Sequence, residues 1–227
     1  SVAANVSGIN ASFNQVTSGI NNKLNGLNAV NLMHNTNFEN DHEGWTTRTD
    51  TTTGGTLSVG MSGLDGGPNY LKLQTGSVAW EGAEQIVKAN QNTTYNISAY
   101  LISLSGTGGV ADLYIRFEDE TGKNLSTFME VGQTSNTSWT KVNKDVTSPA
   151  GTQYIRFSMQ NQKANSQVGF ATPQITQGSG LKSYTHGSDM QDLSVLQSAS
   201  ASYSAGISGL AASMAVTKSD VAGLTTT

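Results

Sequence analysis

The chain has 227 residues, room for one domain with extensions or for two small domains. Only 12% of its residues are charged, the net charge is -4, and no basic cluster occurs, which argues against nucleic acid as a partner. Cysteine is absent, so no disulfide framework or thiolate metal site can form, and no stretch approaches the ~18 apolar residues of a membrane-spanning helix.

Residues 1–30 read as a helix. Val2, Val6, Ile9, Phe13, Val16, Ile20, Leu24 and Leu27 step by 4, 3, 4, 3, 4, 4, 3. A 3–4 alternation holds one stripe against a partner helix, as in a coiled coil, and the 4, 4 step is a stutter that unwinds the supercoil locally. Glycines at 8, 19 and 26 each cost about 1 kcal/mol relative to Ala, so this helix needs partners to form. Its first residues, Ser1 to Asn5, carry neither the charged nor the apolar region of a signal peptide. Helical patterns at both ends of the chain read as those of a fragment.

Residues 31–180 change to period two. Tyr95, Ile97, Ala99 and Leu101 share one face; so do Leu113, Ile115 and Phe117, and so do Ile155, Phe157 and Met159. Further strands are predicted over 56–61, 69–75, 82–88, 125–131, 138–147 and 167–176. Turn signals divide them: Gly54-Gly55, Asp65-Gly66-Gly67-Pro68, Gly106 to Gly109, and Glu120-Thr121-Gly122-Lys123. Short strands with one apolar face each predict an antiparallel β-sandwich, and about 150 residues suffice for its core. Residues 181–188 form a linker. Leu193, Leu196, Ser200, Tyr203, Ile207, Leu210, Met214, Thr217, Val221 and Leu224 then step 3, 4, 3, 4, 3, 4, 3, 4, 3, a second coiled-coil seam. The expected organisation is therefore mainly β: a helical stalk at 1–30, a jelly-roll sandwich at 31–180, and a linker with a helical segment at 181–227.

The sandwich resembles carbohydrate-binding modules of the galactose-binding-like jelly-roll type, families 4, 9 and 22. The likeness rests on Asn31-Leu32-Met33-His34-Asn35-Thr36-Asn37-Phe38-Glu39 with Gly44-Trp45, and on Trp80-Glu81-Gly82-Ala83-Glu84-Gln85 followed by Tyr95 to Tyr100. Ser138-Trp139-Thr140-Lys141, Tyr154-Ile155-Arg156-Phe157 and the close Phe170 to Gly178 complete it. Such modules beside coiled coils occur in phage tail fibres and baseplates. The resemblance thus implies a non-catalytic virion protein at a tail tip or fibre. Its expected partners are host cell-wall polysaccharide and other tail or baseplate proteins, and mixed Ile, Leu and Val seams favour a homotrimer. The alternatives are a structural spacer of the fibre with no sugar site, and the binding appendage of a carbohydrate-active enzyme.

Sugar rings stack their C–H faces on aromatic side chains, while amides, carboxylates and Arg bond the hydroxyls. By alternation Tyr100, Tyr114 and Tyr154 point away from the core, with Arg116, Arg156, Asp112, Glu118 and Gln160. Trp80 and Glu81 stand at a strand entrance, where the resembled modules often bind. The candidate ligand residues are Trp80, Glu81, Gln85, Tyr100, Tyr114, Arg116, Arg156 and Gln160; the alternative is that these rings only cover the second face. Trp45 and Trp139 read as packing residues. The resemblance also implies a structural calcium, with Glu39 and Asp41 as its carboxylates, but Ala171-Thr172 stand where such modules carry Asp, and no cofactor is expected. No nucleophile motif or paired carboxylate cleft points to catalysis.

Overall fold

The computed structural model describes residues 30–49, 51–64, 67–104 and 108–186, together with Asn14. The chain divides into a unit spanning Ala29–Asp189 and a second made of Ser1–Asn28 and Met190–Thr227. Both coiled-coil seams, expected over 1–30 and 189–224, lie outside the described residues apart from Asn14, which is helical, and Val30.

The larger unit is built from ten strands: β1 Thr46–Thr47, β2 Thr56–Leu64, β3 Gly67–Gln74, β4 Glu81–Lys88, β5 Thr94–Leu104, β6 Ala111–Glu118, β7 Met129–Thr134, β8 Thr140–Thr147, β9 Tyr154–Asn161 and β10 Gln167–Gln177. They form two five-stranded antiparallel sheets. Sheet A runs β1-β4-β9-β6-β7 and sheet B runs β2-β3-β10-β5-β8. All nine predicted strands are present; β7 starts four residues later than its predicted span, and β1 was not foreseen.

The core lies between the sheets. Leu113, Ile115 and Phe117 of β6 and Ile155, Phe157 and Met159 of β9 meet Leu71, Leu73, Ile97, Leu101, Val168 and Phe170 of sheet B, all buried. Each such side chain contributes roughly 1.5–3 kcal/mol on leaving water. Alternation along the strands does the sorting, since successive side chains point to opposite faces.

The opening motif is structural. Asn31 Oδ1 accepts from Met33 N (3.2 Å) and Ile175 N (3.1 Å), while its Nδ2 donates to Pro173 O (3.0 Å) and Thr36 Oγ1 (3.2 Å). One buried amide thus ties the module's first residues to its last strand, beside a bulge between Ala171 and Gln174. Trp45 packs in the core with its ring 5.6 Å from Phe38 and 6.1 Å from Phe157, and its indole N–H donates to Asn35 O.

Candidate functional site

On sheet A the strand register aligns outward-facing residues in rows. Gly82 of β4 pairs with Gln160 of β9, which pairs with Asp112 of β6, which pairs with Gln133 of β7. The next row is Glu84, Ser158, Tyr114 and Glu130, and the next is Ile86, Arg156 and Arg116. This face therefore collects Gln160, Tyr114, Arg116 and Arg156 from the sequence-predicted set.

A continuous polar line crosses it. Gln160 Nε2 donates to Ser158 Oγ (2.7 Å), and Ser158 Oγ donates to Glu84 Oε1 (3.0 Å). Arg156 bridges two carboxylates: Nη1 meets Glu84 Oε2 at 2.8 Å and Nε meets Glu118 Oε1 at 2.7 Å. Arg48 Nη1 takes the other oxygen of Glu84 at 2.9 Å, and Arg116 Nε takes Glu118 Oε1 at 2.8 Å. Glu84 and Glu118 are both buried. Burial pushes the Glu118 carboxyl up, but hydrogen bonds from Arg156 and Arg116 outweigh it and hold the group below its ordinary value. The three arginines are thereby engaged with carboxylates of the protein itself.

Asp112 is fully buried and differs from these two. Burial pushes its carboxyl up, against the Gln162 amide donating to Oδ2 and the Tyr114 hydroxyl beside it. Its Oδ1 has no hydrogen-bond partner among the described residues. The Tyr114 hydroxyl is in turn pushed up, by burial first and then by Asp112.

Apolar rings stand at both ends of the line. Phe128 lies edge-on to Tyr114 at 6.2 Å, and the Arg116 guanidinium sits 4.6 Å from the Phe128 ring centre. Trp80, 50% exposed, leads into β4, and its N–H donates to Asn161 O at 2.8 Å. Its φ is +66°, a conformation that costs a non-glycine residue roughly 1–2 kcal/mol. Of the six large hydrophobic residues exposed among those described, Val78, Trp80, Ile86 and Phe128 belong to this face or to the loop that enters it.

The other predicted residues fall elsewhere. Glu81 points to the core side of β4, where its Oε2 accepts from Gly76 N at 2.6 Å; a Cβ at Gly55 would stand 2.4 Å from Oε1, so the loops close over it. Gln85 is buried and bonds both backbone groups of His34, accepting from its N–H and donating to its carbonyl, each at 3.0 Å. Both residues hold loops and do not open onto the face. Tyr100 lies on β5 of sheet B, so it does not share a groove with Trp80 and Tyr114.

Glu39 and Asp41 are exposed, and the Asp41 carboxylate pairs with His42 at 3.0 Å. The nearby carbonyls of Asn40, Asp41 and Glu43 all receive the Asn35 side-chain amide. An N–H donor thus stands where a calcium would need oxygens facing inward, and no cluster of three acidic or His ligands occurs among the described residues. These residues do not fit a calcium.

Sequence reasoning missed Glu84, Arg48, Ser158 and Phe128 as members of the face. Glu84 and Ser158 were legible by alternation with Ile86 and Arg156. Arg48 follows the unforeseen β1, and Phe128 precedes the strand whose start was misplaced.

The model of a carbohydrate binding domain family matches residues 30–167. No curated protein matches the chain in sequence. Among solved structures, the enzymatically active domain of tailspike protein 4 of bacteriophage CBA120 superposes with a TM-score of 0.57 at 12% identity. The likeness covers 66% of this chain and 22% of that one, so the chain spans about a fifth of the tailspike domain's length. A xylan-binding domain from carbohydrate-binding module family 22 gives 0.52 at 14% identity, over 67% of this chain and 98% of that one. The C-terminal family 22 module of Clostridium thermocellum Xyn10B gives 0.51 at 14%, over 67% and 97%. At these identities the likeness is one of fold.

Proposed function

This chain belongs to the carbohydrate binding domain family, and from that premise we propose that the outer face of sheet A binds a polysaccharide without cleaving it. The observation that carries this reading is the pairing of exposed Trp80, Ile86 and Phe128 with a polar line whose charges are already neutralised. Apolar rings take the C–H faces of sugars, and Gln133, Gln160 and Gln162 offer donors and acceptors to hydroxyls.

The arginine-paired glutamates support a reading of binding without catalysis. General acid catalysis needs a carboxyl protonated near the working pH. Glu118 is held below its ordinary value by Arg156 and Arg116, and both Glu84 oxygens are taken by Arg48 and Arg156.

We place this module in a phage tail fibre or baseplate, where it binds host cell-wall polysaccharide and where the predicted coiled-coil seams join three copies. Trimerisation turns weak single-site binding into avidity. The test is binding of the chain and of Trp80→Ala to purified walls of Gram-positive hosts. Retention by the wall that Trp80→Ala loses supports the reading. A folded protein that no wall retains removes it and leaves a structural spacer.

A further inference from the structure

The outer face of sheet B takes no part in the proposed groove, yet it carries its own aromatic cluster. Leu71, Leu73, Leu101 and Phe170 face the core, so Tyr70, Lys72, Tyr100 and Ile102 face out. Gly60 of β2 pairs with Tyr70 of β3. Lys72 pairs with Gly169 of β10, Gly169 with Ile102 of β5, and Tyr100 of β5 with Lys141 of β8.

Two glycines make room for the Tyr70 ring. A Cβ at Gly60 would stand 2.6 Å from Tyr70 Cε1, and one at Gly169 would stand 2.9 Å from Tyr70 Cδ2. Any side chain at either position would push the ring off the sheet. Trp139 closes on the same ring, 5.5 Å between centroids at 73°, and its indole N–H donates to Ser62 O at 3.2 Å. Both rings are thus held before any ligand arrives, which removes most of the ordering cost of binding.

The cations here contrast with those of sheet A. The Lys141 ammonium sits 4.5 Å from the centre of the Tyr100 ring. Neither Lys141 nor Lys72 forms an ion pair among the described residues, although the chain as a whole is acidic. Burial pushes the Lys141 amine below its ordinary value, so its charge is kept at a cost that no protein carboxylate offsets. Lys72 and Lys141 stand on strands three steps apart, roughly 14 Å of sheet width, with Tyr70 on the strand of Lys72 and Tyr100 on the strand beside that of Lys141.

We propose that this face, formed by Tyr70, Trp139 and Tyr100 with Lys72 and Lys141, is a second polysaccharide site and that it takes acidic chains, those bearing carboxylate or phosphate. The rings receive the apolar faces of the repeating units and the two ammonium groups receive the anions. Charge complementarity selects the occupant: the three arginines of sheet A are paired to carboxylates of the protein, whereas Lys72 and Lys141 of sheet B are not.

The test uses the whole chain with polygalacturonate, hyaluronate and poly(glycerol phosphate) as probes and neutral xylan as the contrast, by calorimetry at low and high salt. The carboxylate and phosphate probes separate the two sources of anion. Trp80→Ala is expected to keep binding at least one polyanion, because sheet B is untouched. The double variant K72Q/K141Q is expected to bind that polyanion at least about tenfold more weakly, and added salt is expected to weaken the wild type, as for exposed charge contacts. Where the double variant melts early, Lys72→Gln alone decides, with a loss of about threefold expected. Binding that survives these lysine changes, or binding lost with Trp80→Ala, overturns the proposal. So does a folded wild type that binds none of the three polyanions, including the case where the substitutions instead change its oligomeric mass. Binding of a neutral polysaccharide through Trp80 is a separate readout, so either site can fail alone.

Discussion

The two outward faces of this sandwich solve opposite problems with similar residue types. On sheet A, Arg48, Arg116 and Arg156 are clamped to the buried Glu84 and Glu118, so polar groups that would be costly apart form one satisfied line. On sheet B, Lys141 stands over the Tyr100 ring and Lys72 shares the face, with no carboxylate paired to either among the described residues. Arginine suits the first role, because its planar fork reaches two carboxylates at once; lysine suits the second, as a point charge on a flexible stem. The arginines of one face serve its own architecture, and the two lysines of the other are left without a carboxylate partner.

The largest effect expected of breaking this contrast is on stability. Arg156→Met removes the bridge between Glu84 and Glu118 and leaves each buried carboxylate with one fewer cation. Breaking a buried pair from one side costs about 3 kcal/mol or more. Urea denaturation should show that loss, whereas Lys141→Met on sheet B should cost less than about 1 kcal/mol, since no buried carboxylate is orphaned. Equal losses for the two would mean that the faces do not differ as described.

Next in size is a functional effect with a stability sign of its own. Trp80→Gly is expected to weaken neutral polysaccharide binding by at least about tenfold, the scale of one lost aromatic contact. It should also leave stability unchanged or raise it by up to about 1 kcal/mol, since glycine accepts the φ of +66° that tryptophan bears under strain. On the proposed reading, the half-exposed Trp80 ring on a strained backbone gives up stability for binding. A binding loss in Trp80→Gly accompanied by a lowered melting temperature would turn Trp80 into a packing residue.

Much of this was legible from alternation. Nine strands followed from period two, and the predicted inward residues of β5, β6 and β9 are all buried. Alternation assigns a residue to a side of its own strand, but not that strand to a sheet. Tyr100 and Tyr114 both point outward, yet β5 lies in sheet B and β6 in sheet A, so the two tyrosines serve different faces. Glu81 and Glu84 show the same limit at shorter range. They differ by an odd step on β4, so one closes a loop on the core side and the other anchors two arginines outside. Arg48 was invisible because β1 spans only Thr46–Thr47, too short to carry a period.

Acid separates Asp112 from Glu118 on the sheet A face by sign. The Asp112 carboxyl is pushed above 3.8 by burial, so the folded state holds its proton more tightly than the unfolded chain. Stability is therefore gained as pH falls through the folded value of Asp112 towards 3.8. Glu118 is held below 4.5, so its contribution is complete above 4.5 and is lost as pH falls through its folded value. Melting temperature against pH should rise slightly on acidification before it falls. Asp112→Asn should abolish the rise and keep the fall. A rise that persists in Asp112→Asn would assign it to another group.

The smallest expected effect tests the other face by being almost silent. Lys72 is half-buried and has no partner carboxylate among the described residues, so Lys72→Gln should move stability by no more than about 0.5 kcal/mol. Its only consequence should be a weaker, less salt-sensitive hold on an acidic polysaccharide, with any neutral-polysaccharide binding through Trp80 unchanged. A charge that contributes nothing to folding and is kept beside a preset aromatic pair is most simply there for a ligand. A clear loss of stability in Lys72→Gln would place the lysine in the fold's own packing and make the two faces more alike than their charge patterns suggest.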